Sequence, residues 1–289
     1  MKIVRTPAGI HEFRDSARRE GVTVGLVPTM GYLHQGHASL LDCARRECDR
    51  VVMSLFVNPA QFRPDEDLDR YPRDETRDFA IAREAGVDVV YAPEPADVYP
   101  PGFATSVEVE RLTEVLCGKD DGRGPRHFAG VCTIVAKLLN AVDPDRAYFG
   151  QKDAQQALII RQMAEDLEFR TRIVVLPTVR EDDGLAMSSR NAYLSPVARE
   201  RAGAIWAALV ETESVCAEAG LQAGLEAGRR HLELAGITPE YFEARFPGTL
   251  DPATDASGPV LVAVAVRLDG TRLIDNILIE PNRNTRSTT

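Results

Sequence analysis

The chain has 289 residues, of which 44% are hydrophobic and 27% are charged, and its formal net charge is −10 at pH 7. This composition is ordinary for a globular protein of one large or two unequal domains, and it excludes a disordered or fibrous chain. The acidic balance argues against a nucleic-acid partner, whose phosphates would be neutralised by lysines and arginines. The apolar runs are too short to cross a bilayer and the N-terminus lacks the apolar core of a secretion signal, so we expect a cytoplasmic protein with no membrane partner.

Short β-rich runs alternate with segments of helical period from the N-terminus to about residue 178. The predicted strands are nearly continuous in apolar character and span residues 22–27, 51–57, 87–91, 147–149 and 173–176. The predicted helices place apolar residues on one face and span residues 38–48, 73–85, 127–142 and 153–167. Strands that are apolar on both faces and separated by helices are typical of a covered parallel sheet. Residues 1–178 are therefore predicted to form a doubly wound, Rossmann-like α/β domain.

The alternation stops at residues 180–196, REDDGLAMSSRNAYLSP, which predict a long loop or hinge. Ser195 and Pro196 are typical of a helix N-cap and a first helical position, and they predict a helix that continues to about residue 219.

A second helix is predicted over residues 223–234, and residues 260–280 predict two strands joined at Asp269 and Gly270, a hairpin signal. Residues 179–289 are therefore expected to form a smaller α+β domain.

The five cysteines include no C-x-x-C pair, and their odd number is typical of reduced thiols rather than of a disulfide framework. Cys43 and Cys48 raise the alternative of a metal site, but small apolar fillers on buried helix faces are the simpler interpretation.

Polar clusters follow three of the predicted strands, at residues 28–37, 58–61 and 150–156. Doubly wound sheets bind ligands in the crevice beyond the carboxyl ends of their strands. We therefore expect these three clusters to converge on one rim of the sheet.

The first cluster, PTMGYLHQGHASLL (residues 28–41), places two histidines three residues apart around Gly36. A helix that begins near Gly36 would present free amide groups and its positive dipole end to an anion, with His34 and His37 as further donors. The chain has neither a G-x-G-x-x-G nor a Walker motif, so a phosphate would have to be held in this other way. Two alternatives stay open from the spacing alone: surface cap residues, and a metal pair that would need further ligands.

Six blocks between residues 28 and 191 resemble, in order and spacing, the pantoate–β-alanine ligase (pantothenate synthetase) family of the His-x-Gly-His nucleotidyltransferase superfamily. The blocks are PTMGYLHQGH, SLFVNPAQF, DLDRYPR, HFAGV, FGQKDAQQ and GLAMSSRN. The resemblance implies an acid–amine ligase of the pathway toward coenzyme A, with pantoate, β-alanine and ATP as substrates. Pantoate would react with ATP to give a pantoyl adenylate and pyrophosphate, and β-alanine would then displace AMP.

The same resemblance implies roles for individual residues. His37, beside His34, would be the proton donor or transition-state stabiliser, and Lys152 would place a point charge on the phosphates. The MSSRN segment would be a mobile loop that clasps pyrophosphate and excludes water, with Ser188, Ser189 and Arg190 as its contacts. The other residues implied to line the ATP site are Met30, Gly31, Tyr32, Leu33, Gln35, Gly36, Gly150, Gln151, Asp153, Val179, whose backbone would meet adenine, and Met187.

The resemblance further implies that Gln61 and Gln156 bind pantoate, with Gln61 also near the β-alanine site and Asn58 and Tyr71 supporting the pocket. Neutral amides orient hydroxyl and carboxylate groups without a charge that must be desolvated.

ATP is expected to carry Mg²⁺, which needs few protein ligands. Asp78 best matches the family's magnesium-associated position, although Arg77 stands where a second acid often occurs. The resemblance also implies a homodimer.

The chain departs from the family pattern at two blocks. It reads GRGPRHFAG where members usually have Arg-Pro-Gly before His-Phe, so either Arg123 or Arg126 is expected to reach pantoate. Gln151 replaces the usual glutamate and Ala154 replaces an aromatic residue, which affects packing more than chemistry.

Three other functions stay open as alternatives. A related nucleotidyltransferase would transfer a nucleotide and stop, a tRNA-charging enzyme would need a basic face that the C-terminal region lacks, and a nucleotide-sensing regulatory protein would bind ATP without turnover.

Overall fold

The computed structural model describes residues 1–64, 66–119 and 122–281. The chain divides into two compact units: Met1–Gln151 with Gln155–Val179, and Lys152–Ala154 with the described part of residues 180–289. The last residues of the predicted second domain, 282–289, lie outside the described residues.

The larger unit is built on a six-stranded sheet in which every pairing is parallel. Its strands are β1 (Lys2–Val4), β2 (Val24–Thr29), β3 (Arg50–Leu55), β4 (Val89–Tyr91), β5 (Arg146–Gly150) and β6 (Arg172–Leu176). Their order across the sheet is β1-β4-β3-β2-β5-β6. The predicted doubly wound α/β fold is confirmed, and among the strands of this sheet the sequence pattern misses only β1, whose three residues are too few to show a period.

The described part of the larger unit contains six α-helices. They are α1 (Pro7–Glu20), α2 (Gln35–Glu47), α3 (Glu75–Glu84), α4 (Pro95–Val98), α5 (Pro125–Val142) and α6 (Ala154–Asp166). The four predicted helices are present with ends shifted by up to three residues, whereas α1 and α4 are not predicted. For α1 a signal existed, because Thr6 accepts the N–H of Gly9 as an N-cap and Pro7 occupies the first helical position.

The order of the strands changes direction at β2. From β2 the chain proceeds to β3 and β4 on one side, and it then crosses to β5, which pairs with β2 on the other side. Gly25 is level with Arg146, and the two strands end the same number of residues further on, at Thr29 and Gly150. Such a switch point opens a crevice beyond the carboxyl ends of the two strands, where ligands bind in folds of this class.

In its described residues, the smaller unit combines three α-helices with a three-stranded antiparallel sheet of order β7-β8-β9. Its elements are α7 (Pro196–Ala202), α8 (Ala204–Ala219), α9 (Leu221–Leu234), β7 (Pro239–Arg245), β8 (Val260–Leu268) and β9 (Thr271–Ile279). The hairpin predicted at Asp269 and Gly270 is confirmed, and both residues have positive φ, as a tight two-residue turn requires. The single helix predicted to residue 219 is wrong, because α7 ends and α8 begins on either side of Gly203. A Cβ at this position would lie 3.2 Å from Oδ2 of Asp183.

All five cysteines are buried free thiols, and Cys43 and Cys48, predicted as small apolar fillers, pack in the hydrophobic core around α2. Within the described ranges, the helices all fall short of the length and apolarity that a membrane span would need.

Candidate active site

The segment of residues 30–37, which we call the histidine loop, leaves the end of β2 through a tight turn. Gly31 and Tyr32 have φ values of 92° and 53°, so two consecutive residues adopt the left-handed region. A Cβ on Gly31 would lie 2.9 Å from Oδ2 of Asp78 and 2.9 Å from a methyl carbon of Leu55. Glycine is therefore required at position 31 for space as well as for backbone conformation.

The carboxylate of Asp78, on α3, holds this turn in place. Its Oδ2 accepts the backbone N–H of Tyr32 at 2.8 Å, and its Oδ1 accepts that of Leu33 at 2.7 Å. Only 1% of Asp78 is exposed. Burial raises the pKa of the Asp78 carboxyl above its usual value, and the hydrogen bonds from Leu33 and Tyr32 oppose that shift.

These contacts do not fit the magnesium ligand that the resemblance suggests at Asp78. Mg²⁺ keeps most of its waters and binds exposed carboxylate oxygens, whereas both oxygens of Asp78 accept backbone amides in a buried position. Arg77 lies over the ring of Tyr32, with its guanidinium carbon 5.3 Å from the ring centroid. Asp78 therefore shapes the histidine loop, and the expectation that Asp78 is a magnesium ligand is corrected.

His34 and His37 cap the N-terminus of α2 with their own ring nitrogens. Nδ1 of His34 accepts the N–H of Gly36 at 3.1 Å, and Nδ1 of His37 accepts the N–H of His34 at 3.2 Å. The backbone N–H of His37 donates to the carbonyl of His34 at 2.8 Å. The prediction that these first amides stay available to an anion is therefore wrong for Gly36 and His37.

The caps also determine which nitrogen of each ring carries the proton. An Nδ1 that accepts a hydrogen bond is unprotonated, so the proton of the neutral ring is assigned to Nε2 in both His34 and His37. The ring centroids are 4.1 Å apart, and the two Nε2–H donors belong to the positive end of α2, which favours an anion. An Nε2–H cannot ligate a metal, and no cluster of three or more His, Cys, Asp or Glu among the described residues is arranged to hold one. The anion interpretation is thus favoured over the metal pair.

Two of the amide side chains predicted for the pantoate pocket, those of Asn58 and Gln61, lie side by side after β3. They belong to the 3₁₀ turn Pro59–Gln61 and its cap. Asn58 and Gln61 are both buried, and Nδ2 of Asn58 donates to Oε1 of Gln61 at 3.1 Å. Nε2 of Gln61 lies 3.1 Å from Sδ of Met30, so the histidine loop and the Gln61 amide are brought together within the larger unit. Tyr71, expected to support this pocket, is also buried.

The two arginines that the sequence leaves as alternatives differ in exposure and surroundings. Arg126 is exposed, whereas Arg123 is half-buried and its Nη1 lies 3.3 Å from Nδ1 of His127. The same Nδ1 lies 2.6 Å from the carbonyl oxygen of Gln61, and this shorter contact assigns its proton to the hydrogen bond with Gln61. Nη1 of Arg123 then faces a protonated nitrogen, so this contact is one of proximity rather than a hydrogen bond, and it does not choose between Arg123 and Arg126.

Lys152 follows β5 in the 3₁₀ turn Gln151–Asp153 that leads into α6. Its side chain is 19% exposed, and Nζ lies 3.7 Å from Oδ2 of Asp153. Lys152 is grouped with the smaller unit, where Nδ2 of Asn276 on β9 donates to the carbonyl of Lys152 at 3.0 Å. This hydrogen bond fixes the backbone of the predicted cation.

The two glutamines that begin α6 have different surroundings. Gln155 is buried, and its Oε1 accepts the N–H of Cys117 at 3.0 Å while its Nε2 donates to the carbonyls of Leu112 and Val115 at 2.8 and 2.7 Å. Gln156 is half-buried. Gln155 therefore holds the segment before α5, and the predicted binding role stays with Gln156.

The four polar residues of the MSSRN segment lie in a structured part of the smaller unit rather than in a plain loop. Oγ of Ser188 accepts the N–H of Arg190 at 3.3 Å and caps the 3₁₀ helix Ser189–Tyr193. Nδ2 of Asn191 donates to the carbonyl of Ala186 at 3.1 Å. A hydroxyl that accepts one hydrogen bond keeps its own O–H, so Ser188 can still donate to a phosphate oxygen.

A buried ion pair anchors the chain at Arg180, before the MSSRN segment, and the sequence pattern does not reveal it. Nη1 and Nη2 of Arg180 donate to the carboxylate of Asp275 at 2.6 and 3.1 Å. The guanidinium carbon of Arg180 lies 3.5 Å from the ring centroid of Trp206. Gly184, with φ of 87°, passes over the same ring, where a Cβ would come within 2.1 Å.

The predicted site residues thus fall into two groups. The larger unit brings together the histidine loop, Asp78, Asn58, Gln61 and Arg123, and the smaller unit contains Lys152 and the MSSRN segment. Of the other predicted residues, Met187 and Val179 are half-buried, and Gly150 ends β5.

Comparison with known proteins decides the family. A family profile described as pantoate-beta-alanine ligase matches residues 2–278. The chain belongs to the pantoate–β-alanine ligase family. A pantothenate synthetase of Moorella thermoacetica is 49% identical over 286 residues, covering 98% of this chain and 100% of the relative. A pantothenate synthetase of Acetivibrio thermocellus is 47% identical, covering 97% and 100%.

Solved structures of the family have the same fold as this ligase. The pantothenate synthetase of Thermus thermophilus superposes with a TM-score of 0.90 at 45% identity, covering 96% of this chain and 99% of that one. The pantoate-beta-alanine ligase of Francisella tularensis, described as complexed with beta-gamma ATP and beta-alanine, superposes with a TM-score of 0.81 at 33% identity, covering 96% and 97%.

Sequence reasoning missed Tyr99, His127 and Asp275 as members of the hydrogen-bond networks that this ligase builds around its predicted site residues. Each contacts a partner far away in the chain; Tyr99 and Asn58, for example, are 41 residues apart. The block HFAGV signals that His127 belongs to the family pattern, but nothing local signals the other two.

Proposed function

We propose that this ligase condenses pantoate with β-alanine to form pantothenate, with ATP as the activating substrate. In the first step a carboxylate oxygen of pantoate attacks the α-phosphorus of ATP, and the bond to the departing pyrophosphate breaks. In the second step the deprotonated amine of β-alanine attacks the acyl carbon of the pantoyl adenylate, the acyl–oxygen bond breaks, and AMP leaves as the nitrogen loses a proton. No side chain has to form a covalent intermediate, so positioning and charge stabilisation carry the rate.

The observation that carries this proposal is the contact between Met30 and Gln61 at the end of β2. It places a carboxamide, which is suited to hydroxyl and carboxylate groups, beside the loop that holds two imidazole N–H donors. Attack of an acid on the α-phosphorus requires such adjacency of the acid and phosphate sites. The location at the switch point between β2 and β5 agrees with it.

His37 and His34 would act as neutral hydrogen-bond donors. Because Nδ1 of each ring accepts a cap, Nε2–H is the group that would donate to the phosphoryl oxygens, where negative charge gathers in the transition state. This favours transition-state stabilisation by His37 over the alternative of proton donation.

The remaining roles rest on the family resemblance. Lys152 would contribute a point charge to the phosphates, and Ser188, Ser189 and Arg190 would bind the departing pyrophosphate. Gln61, Gln156 and either Arg123 or Arg126 would hold pantoate. The domain that begins near residue 179 would close over the site.

Magnesium is expected to arrive with ATP, bound to phosphate oxygens and water. The homodimer and the cytoplasmic location stay predictions, and light scattering of the purified protein tests the first.

Rapid-quench analysis of the single-turnover reaction tests the proposal. ATP and pantoate alone should give pantoyl adenylate and pyrophosphate, and AMP with an amide should form only when β-alanine is added. His37→Ala should slow adenylate formation by about 10²-fold or more, the usual effect of losing one preorganised transition-state contact. His11→Ala, on the exposed face of α1, is the matched control and should leave the rate unchanged.

Other outcomes would favour the alternatives. Normal adenylate formation by His37→Ala would refute its assignment. A stable adenylylated product that ignores β-alanine would indicate a nucleotidyltransferase, and ATP binding without pantoate-dependent pyrophosphate release would indicate a nucleotide sensor.

A further inference from the structure

The buried amide of Asn58 has a single allowed orientation, because backbone groups of fixed polarity contact both of its ends. The N–H of Ala60, which can only donate, lies 3.2 Å from Oδ1, and the carbonyl of Gly130, which can only accept, lies 3.1 Å from Nδ2. Asn58 is 1% exposed, so a reversed amide would leave mismatched groups away from water. The assignment of its oxygen and nitrogen is therefore determined by the backbone.

The orientation of Asn58 in turn determines that of Gln61. Nδ2 of Asn58 donates to Oε1 of Gln61 at 3.1 Å, and a reversed Gln61 amide would set two NH₂ groups against each other. Nε2 of Gln61 must then lie on the other side, where it meets Sδ of Met30 at 3.1 Å. A thioether is a weak acceptor and an NH₂ group has two N–H bonds, so this nitrogen keeps the capacity to donate to an oxygen of a bound acid.

Tyr99 completes this chain of hydrogen bonds. Its Oη donates to Oδ1 of Asn58 at 2.7 Å. Burial raises the pKa of Tyr99 to about 12, with the hydrogen bond to Asn58 opposing the shift, so the phenol remains a donor under ordinary assay conditions. The ring packs against Phe56 and Phe103, with centroid separations of 6.4 and 5.2 Å, so the hydroxyl is held in place by aromatic contacts.

We propose that Tyr99 is a positioning residue of the ligase, which acts through Asn58 to hold the Gln61 carboxamide with its N–H groups ready for pantoate. The proposal rests on the proposed function, since it takes Gln61 to bind pantoate. An amide that is already oriented loses less conformational freedom when the acid binds. Loosening it should therefore weaken pantoate binding and leave ATP binding unchanged.

Steady-state kinetics of Tyr99→Phe test this role. The variant keeps the ring and removes only the hydroxyl, and we expect the KM for pantoate to rise by about 2- to 12-fold, the factor that corresponds to one net hydrogen bond. kcat and the KM for ATP should stay close to those of the parent. Tyr91→Phe is the matched control, because Tyr91 is a buried tyrosine on β4 outside this network. A general structural defect would instead lower kcat and raise both KM values, and that result would overturn the proposal.

Variants of Gln61 separate failure of this inference from failure of the proposed function. If Gln61→Leu leaves the KM for pantoate unchanged, Gln61 does not bind the acid and this inference fails, although a measurable KM for pantoate shows that the reaction itself takes place. Absence of pantoate-dependent turnover in the parent enzyme is the result that would refute the proposed function. If Gln61→Leu raises that KM while Tyr99→Phe matches Tyr91→Phe, only the role of Tyr99 fails. Gln61→Glu, which keeps the acceptor and loses the donor, replaces the leucine variant if the latter does not fold.

The double variant gives the final test of the pathway through Gln61. If Tyr99 acts only by orienting this amide, Tyr99→Phe should add no further rise in the KM for pantoate once Gln61 is leucine. Independent, multiplying effects of the two substitutions would overturn the proposal.

Discussion

Replacement of Asp78 by asparagine tests how the histidine loop is held, because the two side chains have nearly the same shape and differ in hydrogen bonding. The carboxylate accepts the N–H groups of Tyr32 and Leu33, at 2.8 and 2.7 Å. Asparagine can accept one of them through Oδ1, but its NH₂ group would face the other, donor against donor.

The size of the effect of Asp78→Asn follows from these two contacts. A hydrogen bond to a charged group contributes about 1.5–3 kcal/mol, and a buried donor without an acceptor costs about 1–3 kcal/mol. Against this, the variant no longer buries a charge, which the raised pKa of Asp78 shows to be unfavourable. We expect the free energy of unfolding to fall by about 2–4 kcal/mol. Adenylation should slow by about 10-fold or more, because the turn that positions His34 and His37 shifts.

Urea denaturation followed by circular dichroism measures the first quantity, and rapid-quench formation of pantoyl adenylate measures the second. Asp74→Asn is the matched control: Asp74 caps α3 by accepting the N–H of Arg77 at 3.0 Å, and asparagine caps a helix equally well. A loss of less than about 0.5 kcal/mol in Asp78→Asn, the level of an ordinary surface substitution, would refute the reasoning. So would equal losses in the two variants.

The same carboxyl predicts a dependence of stability on pH. Burial raises the pKa of Asp78 in the folded protein, so the folded state binds this proton more tightly than the unfolded chain does. The stability due to the protonated group is present below the ordinary pKa of 3.8 and is lost as the pH rises through the raised value. The free energy of unfolding of the parent minus that of Asp78→Asn should therefore decrease with pH across this window. An increase would show that the amide hydrogen bonds outweigh burial.

Two further predictions concern neighbouring structure. Gln155→Leu should lower the free energy of unfolding by about 2–4 kcal/mol, since two buried carbonyls and an N–H lose their partner, and it should leave the KM for pantoate nearly unchanged. Gln156→Leu should instead raise the KM for pantoate and leave the free energy of unfolding nearly unchanged. Urea denaturation and steady-state kinetics distinguish the two variants. Asp275→Asn should lower the free energy of unfolding by about 3–5 kcal/mol, because it leaves the charge of Arg180 uncompensated in a buried pair. Asp183→Asn, in an exposed pair, should lower it by about 0–1 kcal/mol in the same denaturation assay.

The strands of the larger unit could be predicted wherever both faces are buried, because burial of both faces leaves a continuous apolar run. β7 could not, since its sequence PEYFEAR mixes charges with apolar residues. Glu243 and Arg245 pair with each other within β7, but Glu240 is satisfied by the other two strands, pairing with Arg267 and Arg272 at 2.9 and 2.6 Å. A pattern read along one segment cannot show a partner that comes from elsewhere in the chain.

The same limit applies to the candidate site. The histidines, the glutamines and Lys152 could be chosen from their motifs, and the structure connects Gln61 to the histidine loop. The contacts that orient them could not be predicted: Asp78 meets Tyr32 across 46 residues, and the difference between Gln155 and Gln156 depends on carbonyls of a distant segment.

The spacing of the two histidines has a physical reason that the sequence alone does not show. His34 at the N-cap and His37 three residues later form a reciprocal capping box, an arrangement in which serine and glutamate commonly serve. Serine and glutamate at these positions would satisfy the same backbone N–H groups through oxygen, so stability of the helix start does not by itself require histidine. What imidazole adds is a second nitrogen, which must carry the proton once the first accepts the cap. The His-x-Gly-His pattern therefore begins the helix and, through the same hydrogen bonds, fixes two N–H donors at its positive end.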